Sequence, residues 1–127
     1  DDSSVESKPS ASSTTTYSFV YPYFDGADAS SSLTAAQVAT KTKRIITTSS
    51  SITRSFTASS GNYLYFAQPS SYTALVKIYD ENNFDVTASW TSFTGTYTAN
   101  DSTTQTLRVY KLTNPVAAGT HTFRFTR

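Results

Sequence analysis

His121 is the sole histidine of this 127-residue chain, and cysteine is absent. Any Ser-His or Cys-His nucleophile would therefore rest on one side chain. No G-x-S-x-G elbow and no acid partner stands near it in the sequence, so a strand-end histidine bonded to nearby groups is the better reading. Asp80, Glu81 and Asp85 crowd one turn with Asn82 and Asn83 and supply the hard oxygen ligands that calcium prefers. Their spacing matches no EF-hand, which also needs a turn glycine and a distal glutamate. A solvated hairpin tip is favoured over a calcium site, and over a glycosidase pair, which needs a cleft between its carboxylates. Asp25-Gly26-Ala27-Asp28 reads as a loop with a second carboxylate pair, and Asn100-Asp101-Ser102 fits the N-glycosylation pattern. The chain is expected to be non-enzymatic and to hold no cofactor.

The aromatic residues are more informative. Nine tyrosines, eight phenylalanines and one tryptophan exceed what a core of this size needs, so some are expected at the surface. Tyrosine can stack on a sugar ring or fill an interface pocket while its hydroxyl stays wet. The candidates for binding or subunit contact are Tyr63, Tyr65, Tyr72, Tyr21 and Tyr23, with Tyr17 beside them. Alternation puts several of them on strand faces, which favours core or subunit contact over ligand contact.

The elements that must position these residues follow from composition and period. The chain has 21 serines and 23 threonines, together 44 of 127 residues, and only 15% charged residues, against about 25% in ordinary domains. Threonine is β-branched and suits the exposed face of a pleated strand, so the composition favours sheet. A net charge of +1 and a pI near 8.1 lack the basic footprint of a nucleic-acid binder. The one basic cluster, Lys41, Lys43 and Arg44, reads as a solvated face. No apolar run approaches the ~18 residues that span a bilayer, so no membrane insertion is expected. The first residues lack the pattern of a signal peptide, and a chain starting at Asp1 is expected to be a fragment of a longer one. Without cysteine, the redox compartment is open.

Residues 1–16 contain a single apolar side chain apart from Ala11, Val5, and read as a flexible linker or docking arm. The folded module is expected over 17–127, opening with an edge strand in which Tyr17, Phe19, Tyr21 and Tyr23 alternate and Pro22 sits near the end. Ser32 can cap a short helix carrying Leu33, Ala36 and Val38. Alternation over 45–58 sets Ile52, Arg54 and Phe56 on one face, and Ser59 to Asn62 makes a turn. In Tyr63 to Ala67, Leu64 and Phe66 share one face and Tyr63, Tyr65 and Ala67 the other, which fits a central strand. Gln68 to Thr73 is expected as a loop around Pro69, and Val76 with Ile78 resumes an inward face. After the Asp80–Asn83 turn, Phe84, Val86, Ala88 and Trp90 alternate as a strand. Leu107 with Val109, then Phe123 with Phe125, mark the last strands. About seven short strands with hairpin-like turns and no βαβ pattern predict an all-β fold, an antiparallel β-sandwich of immunoglobulin-like or jelly-roll-like type with one short helix.

The stretch YLYFAQPSSYTALVKIYDENNFDVTASW, Tyr63 to Trp90, with echoes in YSFVYPYFDGAD and HTFRFTR, resembles a motif of β-sandwich modules in tailed-phage fibre, baseplate and other appendage proteins. In that pattern an aromatic strand leads to P-S-S-Y-G, an apolar strand, a D-x-N-G turn and F-D-V-T. Here Thr73 and Asn83 stand where the pattern has turn glycines; asparagine tolerates positive φ, whereas threonine does so only at a cost. The resemblance implies a structural or adhesive virion module without an active site. It further implies a homo-oligomer, trimeric by preference, that contacts other virion proteins and a host-surface glycan. The alternative is a carbohydrate-binding module of a secreted or cell-surface bacterial protein, for which the tyrosines and the Asp80 turn would be binding features.

Overall fold

A computed structural model describes residues 5–6, 21–41, 43–47, 51–72, 74–98, 102 and 104–127, with backbone alone for 5–6, 21–22 and 43–47. In chain order the elements are β1 (Val5–Glu6), β2 (Tyr21–Asp28), helix α1 (Ala35–Lys41), β3 (Lys43–Thr47), β4 (Ser51–Ala58), β5 (Tyr63–Pro69), β6 (Lys77–Asp80), a 3₁₀ turn (Thr87–Ser89), β7 (Trp90–Thr98), β8 (Thr104–Leu112) and β9 (Gly119–Thr126). Seven of the strands have five residues or more. They form a six-stranded sheet in the order β1-β3-β2-β5-β8-β7 and a three-stranded sheet in the order β4-β9-β6, with every pairing antiparallel. The fold is all-β and sandwich-like, as the composition predicts.

The larger sheet is covered on both faces, and β5 shows why. It lies between β2 and β8, and its residues 64 to 69 are all buried. Successive side chains of a strand point to opposite faces, so Leu64 and Phe66 enter one core while Tyr65 and Ala67 enter the other. The first core lies between the sheets, where Phe66 stacks on Phe125 of β9 at 3.8 Å between ring centroids. Phe56 and Trp90 pack edge-on or tilted around that pair. The second core joins Phe24, Tyr97, Leu107 and Val109 to Leu33, Ala35, Val38 and Ala39 of the α1 region. Gly95 of β7 permits that approach, because a Cβ there would meet the Ala35 Cβ at 2.9 Å.

Several elements differ from the expectations above. β2 is an interior strand, paired with β3 from Tyr21 and with β5 from Phe24; Pro22 is accommodated where only β3 is a neighbour. Tyr17 and Phe19 lie outside the described residues. The run 45–58 is divided between β3 and β4, which belong to different sheets. Gln68 and Pro69 belong to β5, paired with Arg108 and Leu107, and Thr73 is outside the described residues. Asp85 makes an isolated antiparallel bridge with Tyr79, Thr87–Ser89 is a 3₁₀ turn, and a continuous strand begins only at Trp90. Helix α1 is capped by Thr34, whose hydroxyl accepts from the Gln37 N–H (3.2 Å), while Gln37 Oε1 accepts from the Thr34 N–H (2.9 Å). Thr34-Ala35-Ala36-Gln37 is thus a capping box, and Ala36 is exposed. Val5–Glu6, within the stretch 1–16, pairs with Ile45 and Arg44 of β3. Among the described residues no helix is long and apolar enough to cross a membrane.

Candidate functional site

The candidate tyrosines do not converge. Tyr23 is 0% exposed in the inter-sheet core, with its hydroxyl accepting from the Arg127 guanidinium and its ring 5.2 Å from Phe66. Tyr65 is 1% exposed in the helix-side core, where its hydroxyl donates to the Ser30 carbonyl at 2.6 Å. Burial raises its pKa above the ordinary tyrosine value. Both rings are therefore core groups out of reach of a ligand, which corrects their reading as contact residues. Tyr63 is half-buried on the helix side, 5.5 Å beneath the Lys111 ammonium. Tyr72 is half-buried beyond β5, where its carbonyl accepts from Arg108. The Tyr21 side chain lies outside the described residues.

The acidic residues are also partly committed. Asp80 Oδ1 accepts from the N–H groups of Asn82 and Phe84, both at 2.9 Å, and the Asn83 N–H closes the turn on the Asp80 carbonyl at 2.9 Å. Asn83 takes a φ of 66°, the left-handed conformation that asparagine tolerates. Asp85 Oδ1 accepts from the N–H and the hydroxyl of Thr87 (3.0 and 2.7 Å), and Oδ2 from Lys77 Nζ at 3.0 Å. These donors, the Thr87 hydroxyl foremost, lower its pKa to about 2. Both aspartates thus stabilise their own chain turns instead of facing a shared ion, and Glu81 is exposed beside them. Among the described residues no group of three or more His, Cys, Asp or Glu is arranged to hold a metal. Asp25 and Asp28 have separate roles. Asp25 Oδ2 accepts from Arg54 Nε at 2.7 Å between the sheets, and Asp28 pairs with Lys41 at 3.3 Å on the helix side. His121 Nε2 lies 2.7 Å from the Ala117 carbonyl, the local partner expected of a strand-end histidine.

A different set of residues does come together, on the outer face of the three-stranded sheet. Pairing of β4, β9 and β6 sets Thr53 opposite Arg124, Ser55 opposite Thr122, and Tyr79 opposite Arg124 on its other side. The inward phase of these strands is filled by Ile52, Phe56, Ile78 and Phe125, so the intervening residues face outward. The Arg124 guanidinium lies over the Tyr79 ring, 4.3 Å from its centroid, and donates to Asn83 Oδ1 at 2.7 Å. Cation–π contact and a hydrogen bond together fix a flexible side chain in place. An open depression of about 310 Å³ is lined here by Thr53, Asp80, Glu81, Asn83, Thr122, Phe123 and Arg124. It offers a guanidinium, an amide, two carboxylates and hydroxyls over one shallow area. The sequence reading named Asp80 and Glu81 but missed Arg124, Tyr79, Thr53 and Thr122. The available signal was Arg124, the one charge on the outward phase of a strand otherwise carrying threonines.

Comparison of the chain with protein-family models, with curated proteins and with solved structures finds no match.

Proposed function

We propose that this domain is a non-enzymatic structural and adhesive module of a phage fibre or appendage, and that it recognises a surface glycan through the Arg124 depression. The observation that carries the recognition half is the fixed Arg124 guanidinium, held over Tyr79 and beside Asn83, Asp80 and Glu81. A guanidinium presents several N–H donors in a fixed plane, and neighbouring carboxylates accept from sugar hydroxyls. Adjacent threonine hydroxyls can do either. The Tyr79 ring beneath the guanidinium gives the rigidity that limits the entropy lost on binding. The virion setting is supported by the resemblance of Tyr63 to Trp90 to phage appendage modules. A carbohydrate-binding module of a secreted or cell-surface protein would use the same depression, and self-assembly would distinguish the two.

The test is a glycan array on the full chain, followed by titration calorimetry with any glycan that binds. Arg124→Ala and Tyr79→Ala are each expected to weaken binding by about tenfold or more, the loss of one charge-assisted hydrogen-bonding group or of its support. Circular dichroism should be unchanged. Absence of binding to every glycan, or binding that survives both substitutions, would overturn the recognition half.

A further inference from the structure

An arginine at a binding surface is the usual partner of an anion, but the surroundings of Arg124 oppose one. Among the described residues Arg124 forms no ion pair; its guanidinium donates to the neutral Asn83 amide and rests on the Tyr79 ring. Two carboxylates, Asp80 and Glu81, line the same depression, and no second cation does among the described residues. Lys77, the other cation near this turn, is held by Asp85 at 3.0 Å. Asp80 Oδ1 is taken up by the N–H groups of Asn82 and Phe84. Its Oδ2 and the exposed Glu81 carboxylate meet no donor among the described residues.

We infer that the depression selects uncharged, hydroxyl-rich sugars and rejects acidic ones, an inference that rests on the glycan reading above. A sugar carboxylate, sulfate or phosphate set on Arg124 would face two like charges for one opposite. These groups are close together: Asn83 Oδ1 accepts from Arg124, and the Asn83 N–H meets the carbonyl of Asp80, the neighbour of Glu81. They therefore act on a ligand within the screening length, about 8 Å at physiological salt. Attraction to the guanidinium is offset, and the hydration that an anion gives up is left as a cost. A hydroxyl meets no such opposition. It can accept from Arg124 or donate to Asp80 Oδ2 or Glu81, so neighbouring hydroxyls of one sugar can serve both kinds of group without adding charge. Thr53 and Thr122 add neutral hydroxyls, and Phe123 adds an apolar surface for the C–H groups of a sugar ring. Selectivity of this kind comes from repulsion of the wrong ligand as much as from contact with the right one.

Matched glycans on the full chain test this: neutral oligosaccharides on an array, beside the same backbones capped with sialic acid or sulfated, with titration calorimetry on each pair that shows binding. The neutral members are expected to bind, and their acidic partners to bind more weakly by about tenfold or more. Neutral binding should change by less than about twofold between roughly 50 and 500 mM sodium chloride, because no ligand charge is there to be screened. Asp80→Asn combined with Glu81→Gln removes both negative charges. The amide oxygen introduced at 80 can still accept from the Asn82 and Phe84 N–H groups, so the circular dichroism spectrum should be unchanged. In this double variant the acidic members should gain about tenfold or more, while the neutral members change far less. Arg124→Ala should weaken both. Acidic glycans that bind the wild type as tightly as their neutral partners, or a preference that the double variant leaves unmoved, would overturn this inference and leave the recognition reading standing. Absence of binding to every glycan would remove both.

Discussion

At Asp85 one carboxylate organises the start of the segment that returns the chain to the large sheet. Its Oδ1 accepts from the Thr87 N–H and hydroxyl, and the same hydroxyl accepts from the Ile78 N–H at 2.9 Å. Charge on Asp85 is thereby linked to the end of β6. Because Asp85 is exposed, the effect on stability is screened, but its direction is fixed. Its pKa lies at about 2 in the folded chain against an ordinary value of 3.8. A carboxylate depressed in this way contributes stability that is fully present above its unfolded value and is lost as pH falls through the folded one. The Asp85 contribution should therefore disappear between about pH 4 and pH 2. Carboxyl-carbon NMR titration should place Asp85 near 2 in the wild type, and Thr87→Ala should raise the midpoint toward the ordinary value by removing the strongest donor. A wild-type midpoint at the ordinary value would sink this account. The tyrosines show the same commitment of polar groups to the fold: Tyr65 and Tyr23 bury rings whose hydroxyls meet Ser30 and Arg127, far away in sequence.

Among the elements, α1 has only seven residues, too short to persist in water without the sheet beneath it. Its seat is Gly95, where a Cβ would come within 2.9 Å of the Ala35 Cβ. Since neither group can swing aside, Gly95→Ala should push the helix off the sheet at a cost of about 1–3 kcal/mol, measured as a lower urea midpoint at unchanged slope. Ala35→Gly removes the opposing methyl. In its background the Gly95→Ala cost should shrink by about 0.5 kcal/mol or more beyond additivity. Two substitutions that simply add would remove this contact as the reason for the glycine. Strand β5 was legible in the sequence because its two apolar faces leave no alternative to a central position. A short helix here was legible but its start was not: Ser32 offers a cap two residues too early, and the capping box is Thr34-Ala35-Ala36-Gln37. Phe84 to Trp90 misleads for a physical reason: its alternation is genuine, but Asp85 captures the Thr87 backbone and bends the chain out of the extended form. The division of 45–58 into two sheets, and the meeting of Tyr79 with Arg124 across the β6–β9 ladder, depend on long-range pairing that local pattern does not encode. The candidate site was therefore half legible: its acidic turn could be named, and its arginine stood out as a lone charge among outward threonines with no local sign of its partners Tyr79 and Asn83.

On the scale of the whole molecule, three interior strands belong to both cores at once. β2 contributes Tyr23 to the inter-sheet core and Phe24 to the helix-side core; β5 contributes Phe66 and Tyr65, and β8 contributes Tyr110 and Val109. Neither covering layer can detach without stripping one face of strands that are held from the other side. The small sheet and α1 should therefore melt together, although they do not touch a common face. Phe66 is stacked on Phe125 in the first core, and Phe66→Ala should cost about 3–5 kcal/mol. Val38, fully buried in the second core, should cost less when truncated to alanine, since fewer methyl groups are lost. If the shared strands couple the layers, each variant should show one transition, with far-ultraviolet circular dichroism and aromatic near-ultraviolet signals coincident in urea. Near-ultraviolet signals report chiefly on the aromatic inter-sheet core, so an uncoupled α1 layer would give Val38→Ala an early far-ultraviolet change and an unmoved aromatic transition. That separation would mean that the six-stranded sheet with its small partner is a complete folding unit, and that the helix is only an attachment to it.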